Sequence, residues 1–534
     1  MAIYAINRKF HFRTPRPTPH FMEFVCVSPN CGWRVYASLM DGTGNFQIKK
    51  AQLKHTCPID DRRQFHKQAT TQVIGELIQA RFVAGQKGPG PIEIQRIMLQ
   101  EFQVNILYWK AWRCREVAVE KAFGSISGSY SLLPSYLENL QTSNPGTVCK
   151  TEFQMDKNGA RRFKYMFISY AATISGLAYL RPVILIDGTH LVGRYGGCLI
   201  CASEQDGNFQ IYPIAYAVVD SENDASYEWF FRCLQTIIRD GHGVMFISDR
   251  HSSIYSGLKK VYPSAAHGAC LVHLTRNVTN RFKESRLPSL MVRAAKAYTV
   301  YEFNQLFAEL RSVSPSCADY LTDLGLPHWT RAYSVGERYN IMKTDVAESL
   351  NKVLKECREF PLISMLEAIR MSLMGWFVRR RAAYASEIHQ LTPKVVMVNQ
   401  DEFEVYDRNG GRFEVNLCTC REFQMLLIPC CHALAATSLC KISNDNLVGE
   451  VYSTGFVRSL YEGVFHPVPT PVSNGDGELL LPIMRRPPGR PKKTRIPSRG
   501  EFKMRRSKKA VRLCTRCLGR GHNKASCKLP VREK

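Results

Sequence analysis

The amino-acid sequence predicts an α/β protein flanked by small zinc-binding domains. Residues 183–186 are four consecutive apolar residues followed by Asp187 and Gly188, the pattern of a strand that is buried on both faces and ends in an acid. The pattern recurs at residues 244–249, where an apolar run ends at Asp249. Cysteine and histidine residues also cluster in three places with the spacing of zinc ligands. These three observations together predict the fold class.

Two such strands lying side by side would place both carboxylates at one edge of a sheet. Hard divalent cations favour oxygen ligands of this kind. Glu348, within residues 344–351, offers a third acid for the same site. Acids also end strands in many α/β folds that have no catalytic role, so this pattern needs support from the rest of the chain.

Composition points to a polyanionic partner. The chain has 534 residues, of which 45% are hydrophobic, so several domains with a sizeable core are expected. Lysine and arginine number 72 against 46 acids, a net charge of +26, which predicts DNA, RNA or an anionic membrane surface as partner. The alternative is a merely basic soluble protein.

The cysteines are predicted to be reduced. No uninterrupted run of about 18 apolar residues predicts a membrane span. The basic, proline-containing N-terminal segment lacks the apolar core of a signal peptide. The chain has 19 cysteines, and in a reducing compartment those that lie in groups are expected to bind zinc rather than to form disulfides.

The elements follow in order along the chain. Short strands are predicted at 24–26, 33–37 and 46–48, then helices at 63–84, 92–102, 108–123 and 131–140. The helices fit a helix-turn-helix or a packing subdomain equally well. An α/β block follows, with strands near 149–155, 162–170, 183–187, 197–204 and 209–219, a helix at 225–239 and a strand at 244–248.

Three adjacent strands, a helix and a further strand ending in an acid resemble the order of an RNase H-like fold. Residues 251–390 are predicted to be mostly helical, and strands return within 394–417. From about 467 the chain is rich in proline, glycine and basic residues, as expected of a flexible linker.

The C-terminal set has the spacing of a CCHC zinc knuckle, a unit so small that metal binding must supply most of its folding energy. Its ligands are Cys514, Cys517, His522 and Cys527. Knuckles usually contact single-stranded nucleic acid. A second set resembles the SWIM zinc finger and comprises Cys418, Cys420, Cys430 and His432, with Cys431 as a spectator.

The N-terminal set resembles WRKY/GCM-like zinc fingers, whose strand face enters the major groove of DNA. Its ligands are Cys26, Cys31, His55 and Cys57. Residues 33–36, including Arg34, and the pair Lys49 and Lys50 would offer aromatic and basic contacts to DNA. The alternative is a packed, solvated sheet face.

Two further features are less specific. Arg490 lies in a Gly-Arg-Pro core with basic flanks that is like an AT-hook; a nuclear localisation signal or a plain basic linker fits as well. Cys270 and His273 would share one face of a helix. Taken alone, that pair favours a buried cysteine and a hydrogen-bonded histidine over two metal ligands.

In this order, the motifs resemble a plant Mutator-like element (MULE/MuDR) transposase over nearly the whole chain. The resemblance rests on the zinc set at 26–57, on residues 128–136 and 143–147, on 181–190, 247–250, 270–274 and 347–351, and on the SWIM-like set, the basic linker and the knuckle. The combination is far more specific than any single motif.

The resemblance implies an RNase H-like domain with a DDE catalytic triad and a helical insertion. Asp187 and Asp249 match its two aspartates, and Glu348 matches its glutamate. Cys270 and His273 match a Cys-x2-His feature that accompanies the second aspartate. The implied chemistry is phosphoryl transfer with Mg²⁺ held by the three acids, beside up to three structural Zn²⁺ sites.

The resemblance also divides the chain into regions. These are a zinc-finger DNA-binding domain at 1–62, a helical DNA-binding or linking region at 63–145, the transposase domain at 146–390, the SWIM region at 391–465, the basic linker at 466–512 and the knuckle at 513–534. The implied partner is DNA, as terminal inverted repeats or promoter sites, in the nucleus and without a membrane; a homo-oligomer is compatible with this interpretation.

Three functions stay open at this point. The chain departs from the family pattern at 250–253 and at Asp345, which allows drift from selection for transposition, and Met1 lies very near the zinc finger, which suggests a missing upstream segment. Domesticated relatives, such as the far-red response regulators and the Mustang group, act as DNA-binding regulators without transposition. An RNA-binding zinc protein rests on the knuckle alone.

Overall fold

The computed structural model describes most of the first 482 residues. The described ranges are 1–15, 18–40, 44–82, 88–191, 196–339, 341–342, 345–387, 389–395, 418–440, 443–472 and 479–482. Side chains at 345–348 and 439–440 are also outside the description.

The strands lie in two groups along the chain. They are β1 (Phe12–Arg13), β2 (Phe21–Cys26), β3 (Arg34–Leu39), β4 (Phe46–Gln52), β5 (Val148–Met155), β6 (Arg161–Ser169), β7 (Val183–His190), β8 (Cys198–Gln205), β9 (Ile211–Val219), β10 (Met245–Ser248) and β11 (Ala266–Ala269).

Helices precede, separate and follow these strands. They include α1 (Ala2–Asn7), α2 (Thr71–Ile78), α3 (Pro91–Gln100), α4 (Tyr108–Phe123), α5 (Ile126–Ser131), α6 (Leu133–Ser143), α7 (Ala171–Ser175), α8 (Asp224–Gln235), α9 (Ser252–Val261), α10 (Leu271–Arg281), α11 (Leu287–Lys296), α12 (Val300–Val313), α13 (Pro315–Asp323), α14 (Leu326–Trp329), α15 (Asp345–Val353), α16 (Leu362–Ala385), α17 (Glu422–Leu426), α18 (Cys431–Cys440) and α19 (Thr454–Leu460). Short 3₁₀ helices lie at Asp60–Arg62, Gln64–Gln68, Gln79–Arg81, Gly176–Tyr179, Cys357–Glu359, Asn444–Leu447 and Glu450–Tyr452.

The N-terminal sheet has four antiparallel strands in the order β1-β2-β3-β4. Its small core contains Phe10, Cys26 and Trp33. Every residue of β4 is exposed, so this strand is solvated on both faces. The predicted strands of this region are confirmed, with β1 and α1 added.

The central sheet has seven strands in the order β11-β10-β7-β8-β9-β6-β5. Strand β10 runs parallel to both β7 and β11, whereas every other neighbouring pair is antiparallel. Helix α8 connects β9 to β10, and α9 connects β10 to β11. The apolar runs of β7, β8 and β9 are buried because helices cover both faces of the sheet. The predicted α/β block is confirmed.

The prediction that residues 251–390 are mostly helical is confirmed for the described residues, with one short strand added. Strand β11 lies within this range and forms the edge of the central sheet. Its sequence, Ala-His-Gly-Ala, has no apolar run, so its strand conformation depends on pairing with β10 rather than on its own pattern.

The helices after β11 form a second layer. Helices α10–α13 enclose a separate core around the fully buried Trp329. Helix α15 then returns to the central sheet and packs on β7, β8 and β9. Within the described residues, no helix is both long and apolar enough to cross a membrane.

Candidate active site and zinc centres

Asp187 and Asp249 lie at the same edge of the central sheet. In the parallel pair β7–β10, Ile186 is opposite Ser248, and each acid directly follows one of these two residues. The prediction that two apolar strands lie side by side and carry their acids to one edge is therefore confirmed.

The carboxylate of Asp187 is held by a side chain of α15. Asn351 Nδ2 donates a hydrogen bond to Asp187 Oδ2 at 2.6 Å. Nearby, the guanidinium of Arg358 donates to Thr189 Oγ1 and to the carbonyl of His190. Helix α15 thus contributes to the acid edge, and Glu348 belongs to this helix, three residues before Asn351. The Glu348 side chain itself lies outside the described residues.

Asp249 is more enclosed, with 7% of its surface exposed. The backbone N–H of His251 donates to Asp249 Oδ1 at 3.2 Å. The preceding residue, Ser248, shares a 2.8 Å hydrogen bond with His267 Nε2 across the β10–β11 pair. Burial lowers the pKa of His267 to about 3, with His328 and Arg338 adding to the effect. A neutral imidazole therefore supports the end of β10.

Cys270 lies at the end of the third parallel strand. Its backbone N–H donates to the carbonyl of Ser248 at 2.8 Å, beside Asp249. Cys270 is the N-cap of α10 rather than a helical residue, so the prediction that it shares a helix face with His273 is wrong. His273 occupies the first turn of α10, and both side chains are buried. Their functional role stays a prediction.

A cavity of about 360 Å³ opens next to this edge. Its lining includes Arg250 and Ala269, the chain neighbours of Asp249 and Cys270, together with Tyr255 and His328. Basic and aromatic side chains are groups that contact phosphates and bases.

The N-terminal sheet brings together the four predicted ligands. Cys26 ends β2, Cys31 precedes β3, and His55 and Cys57 follow β4, with all four ligand atoms within 4.8 Å of one another. Cys26 Sγ is 3.8 Å from Cys57 Sγ, and Cys31 Sγ is 3.4 Å from His55 Nδ1. Ligand atoms around a tetrahedral zinc ion are about 3.5–3.8 Å apart. The arrangement fits zinc.

The thiols of this set differ in acidity. Burial raises the pKa of Cys26 to about 12. Burial alone would also raise the pKa of Cys31, but backbone N–H groups of Trp33, Thr56 and Cys57 lower it to about 5. The lowered pKa of Cys31 favours its thiolate form, which is the form that binds a metal cation.

The SWIM-like set also converges. Cys418, Cys420, Cys430 and His432 have ligand atoms within 4.8 Å of one another. The distance from Cys418 Sγ to Cys420 Sγ is 3.2 Å, and from Cys418 Sγ to His432 Nδ1 it is 3.6 Å. His432 lies in the first turn of α18, as the Cys-x-His spacing predicts.

Comparison with known proteins finds two family models that match parts of the chain. Residues 183–277 match the family model of the MULE transposase domain. Residues 400–441 match the SWIM zinc finger. The match to the first model spans β7 to α10 and so includes Asp187, Asp249, Cys270 and His273.

Two curated relatives share part of the sequence. The transposase for insertion sequence element IS905 of Lactococcus lactis subsp. lactis (strain IL1403) is 24% identical over 226 residues, 39% of this chain and 56% of that protein. The FAR1-related sequence 5 protein of Arabidopsis thaliana is 22% identical over 192 residues, 35% of this chain and 24% of that protein. The chain therefore matches little more than half of the first relative and a quarter of the second.

The predicted DNA contacts of the N-terminal sheet are only partly accessible. Lys49 and Lys50 lie on the exposed strand β4, and Arg34 is exposed on β3 while paired with Glu23 at 3.1 Å. The prediction that Trp33 offers an aromatic contact is wrong, because Trp33 is fully buried and stacks on His55.

Other predicted site residues lie outside the described residues of the chain. These are Arg490 of the AT-hook-like segment and the knuckle ligands Cys514, Cys517, His522 and Cys527; most of the strands predicted within 394–417 also lie outside.

Asn351 and Arg358 of the acid edge were not singled out from the sequence. The signal available for Asn351 was its spacing of three residues from Glu348 on a predicted helix, which places both on one face. Arg358 follows the end of α15 and offered no pattern.

Proposed function

We propose that the chain is a Mutator-like DNA transposase, or a protein derived from one, that binds DNA and cuts and joins strands by phosphoryl transfer. The observation that carries this proposal is the placement of Asp187 and Asp249 on adjacent parallel strands, with Asn351 of α15 bonded to Asp187. The MULE transposase domain match and the IS905 similarity support a transposase or a transposase-derived protein.

Strand order supports an RNase H-like catalytic domain. Strands β7, β8 and β9 form an antiparallel set, α8 follows, and β10 then pairs with β7 in parallel. This is the order that the sequence suggested for such a fold, with β5 and β6 added at one edge and α10–α14 inserted before α15.

Carboxylates at this edge suit Mg²⁺, whose preferred ligands are oxygen atoms. Asp187, Asp249 and Glu348 would hold it, because position 348 lies one turn before Asn351 on α15. When bound, Mg²⁺ supplies an activated water or DNA 3′-hydroxyl and stabilises the leaving oxygen. Asn351 orients Asp187, and the His251 N–H orients Asp249.

DNA would be bound by several parts of the chain. The net charge of +26 supplies general attraction to phosphates. Lys49 and Lys50 on β4 and Arg250 and His328 at the cavity beside Asp249 supply local contacts. The basic linker with Arg490 and the knuckle would add minor-groove and single-strand contacts, and a nuclear location follows from this function.

A second candidate function is a nuclear DNA-binding regulator that does not cleave DNA. The similarity to the FAR1-related sequence 5 protein favours it, since the sequence also resembles domesticated relatives of this kind. In that case the three acids would be relics of an ancestral transposase.

The experiment that separates the two functions measures binding and cleavage on one DNA. DNA carrying the element's own terminal repeats is incubated with Mg²⁺ and with wild type, Asp249→Asn, or the matched control Asp323→Asn. Asp323 is exposed at the end of α13 and loses the same charge.

The proposal predicts binding by all three proteins but cleavage and strand transfer only by wild type and Asp323→Asn. Specific binding without cleavage by the wild type would favour the regulator. A preference for single-stranded RNA over duplex DNA would contradict both and revive the RNA-binding interpretation.

A further inference from the structure

A third group of metal-binding side chains lies beside the acid edge. Among the described residues, His190, Cys198 and Glu222 have ligand atoms that all lie within 4.8 Å of one another, as in the two zinc sets above. We propose that these three side chains form a zinc site that leaves one coordination position open. The inference rests on these residues alone and does not depend on the proposed transposase function.

Strand pairing brings two of the ligands together. His190 at the end of β7 is directly opposite Cys198 at the start of β8. Residues directly opposite in an antiparallel pair share a face of the sheet, with Cβ atoms about 4.5–5.5 Å apart. Cys198 is fully buried and His190 is exposed, so the pair joins a fixed core thiol to an imidazole that an ion can reach from solvent.

The third ligand arrives from the connection between β9 and α8. Asn223 and Ser226 form a reciprocal capping box at the start of α8, which fixes the backbone next to Glu222. The hydroxyl of Tyr227 donates to Glu222 Oε1 at 3.0 Å. The carboxylate is therefore held by a side chain of the helix that follows it.

Gly188 makes room for that carboxylate on the strand. A Cβ atom added at Gly188 would lie 2.2 Å from Glu222 Oε1 and 2.9 Å from the Tyr227 hydroxyl oxygen. Gly188 and His190 lie on one face of β7, and Asp187 lies on the other because side chains alternate along a strand. The site is thus separate from the acids proposed to hold Mg²⁺.

The donor set selects the metal. An imidazole nitrogen, a thiolate and a carboxylate oxygen are the three ligand types that bind zinc in proteins, whereas Mg²⁺ takes oxygen ligands. Zinc sites with three protein ligands keep a fourth position for water or another oxygen ligand. The alternative is that Glu222 serves only as the partner of Tyr227 while Cys198 fills the core.

Equilibrium dialysis of the full chain separates these interpretations. Wild type and variants are dialysed against a series of buffered free zinc concentrations, and bound zinc per chain is measured by elemental mass spectrometry. His190→Ala and Cys198→Ser are each expected to bind one equivalent fewer than wild type, and Glu222→Gln to need more free zinc for the same occupancy.

Two matched controls accompany the variants. His242→Ala removes another exposed histidine, and Cys201→Ser removes a buried thiol of β8 that alternation places on the opposite face. Both are expected to bind as much zinc as wild type. Because His190 is exposed, its substitution leaves the core intact and keeps the test valid if Cys198→Ser misfolds.

Cobalt provides a second readout. In the Co²⁺-loaded chain, the thiolate-to-cobalt absorption band is expected to be weaker in Cys198→Ser than in Cys201→Ser. Zinc binding by His190→Ala that superimposes on the wild-type curve at every free zinc concentration would overturn the proposal.

Discussion

Asp187 depends on a neighbour from a distant part of the chain. Asn351 Nδ2 donates to its carboxylate at 2.6 Å, which helps to orient this acid. Asn351→Ala is expected to reduce DNA cleavage about 10–100-fold, with a higher Mg²⁺ requirement, because groups that orient metal ligands have effects of this size.

The measurement is the cleavage rate as a function of Mg²⁺ concentration. Asn304→Ala is the control, since Asn304 bonds only the exposed Tyr333 hydroxyl among its described contacts. An Asn351→Ala variant with an unchanged Mg²⁺ dependence would contradict the positioning role.

His267, which contacts the end of β10, makes the stability of the fold depend on pH in the acidic range. Its folded-state pKa of about 3 lies below the ordinary value of 6.5, mainly because of burial. The unfolded chain therefore binds a proton that the folded chain excludes between these two pH values. This residue stabilises the fold above pH 6.5, and the contribution is lost progressively as the pH falls toward 3.

In His267→Gln, the free energy of unfolding is expected to fall less steeply between pH 6 and pH 4. The slope is expected to be smaller than that of wild type by up to about 1.4 kcal/mol per pH unit. Denaturant unfolding at each pH measures it, with the exposed His242→Ala as control. Equal slopes for wild type and His267→Gln would show that His267 does not titrate in this way.

At the scale of single residues, the candidate site residues that could be predicted are those that belong to a short sequence pattern. Asp187 and Asp249 end apolar runs, and the zinc ligands have short fixed spacings. Asn351, Glu222 and His190 could not be predicted in the same way. Their contacts depend on how α15, the β9–α8 connection and the β7–β8 register meet in space.

The β8–β9 hairpin connects the central sheet to the C-terminal segment. Gly207 is at its tip, and its carbonyl accepts a hydrogen bond from Thr392 Oγ1 at 3.0 Å. An added Cβ at Gly207 would lie 2.0 Å from the carbonyl oxygen of Val451. Backbone cannot move aside as a flexible side chain can, so the hairpin and residues 450–452 must separate.

Gly207→Ala is therefore expected to lower the free energy of unfolding by about 1–3 kcal/mol, the usual cost of overpacking. Gly243→Ala is the matched control, because nothing lies within 4 Å of a Cβ added there. Equal denaturation midpoints for the two variants would contradict the close packing at Gly207.

Elements with a strong intrinsic pattern could be predicted from sequence, whereas β11 could not. Strands β7 to β10 carry apolar runs long enough to predict burial. The four residues of β11 contain two alanines, a histidine and a glycine, and they form a strand because β10 offers an unpaired edge. Tertiary context outweighs intrinsic preference in such a segment.

The whole molecule combines a seven-stranded α/β sheet with a small N-terminal sheet that brings four Cys and His side chains together. The N-terminal core contains few apolar residues, so its stability is expected to depend on metal binding by Cys26, Cys31, His55 and Cys57. Cys57→Ala is expected to lose one zinc equivalent and to increase hydrogen exchange within β2–β4, while β7–β9 stay protected.

Hydrogen exchange measured by mass spectrometry tests this, with the buried Cys233→Ala of α8 as control. Equal protection of β2–β4 in both variants would show that this sheet does not need its metal. The MULE and SWIM matches could be anticipated at this scale because each region has its own motif. The packing of α15 on the central sheet was anticipated only through Glu348, offered as a third acid, since residues 249–344 separate α15 from β10.

Iron-directed cleavage is the measurement that decides whether Asp187 and Asp249 hold a divalent cation. Fe²⁺ also accepts carboxylate ligands, so it can replace Mg²⁺ in the zinc-loaded chain. With ascorbate and peroxide, bound iron forms hydroxyl radicals that cut the nearby backbone. We expect the wild-type chain to be cut close to residues 187 and 249. Excess Mg²⁺ is expected to suppress these cuts, and the double variant Asp187→Asn/Asp249→Asn is expected to lack them. Cuts that persist unchanged in the double variant, or a wild type left intact at both positions, would show that these two acids do not hold the cation.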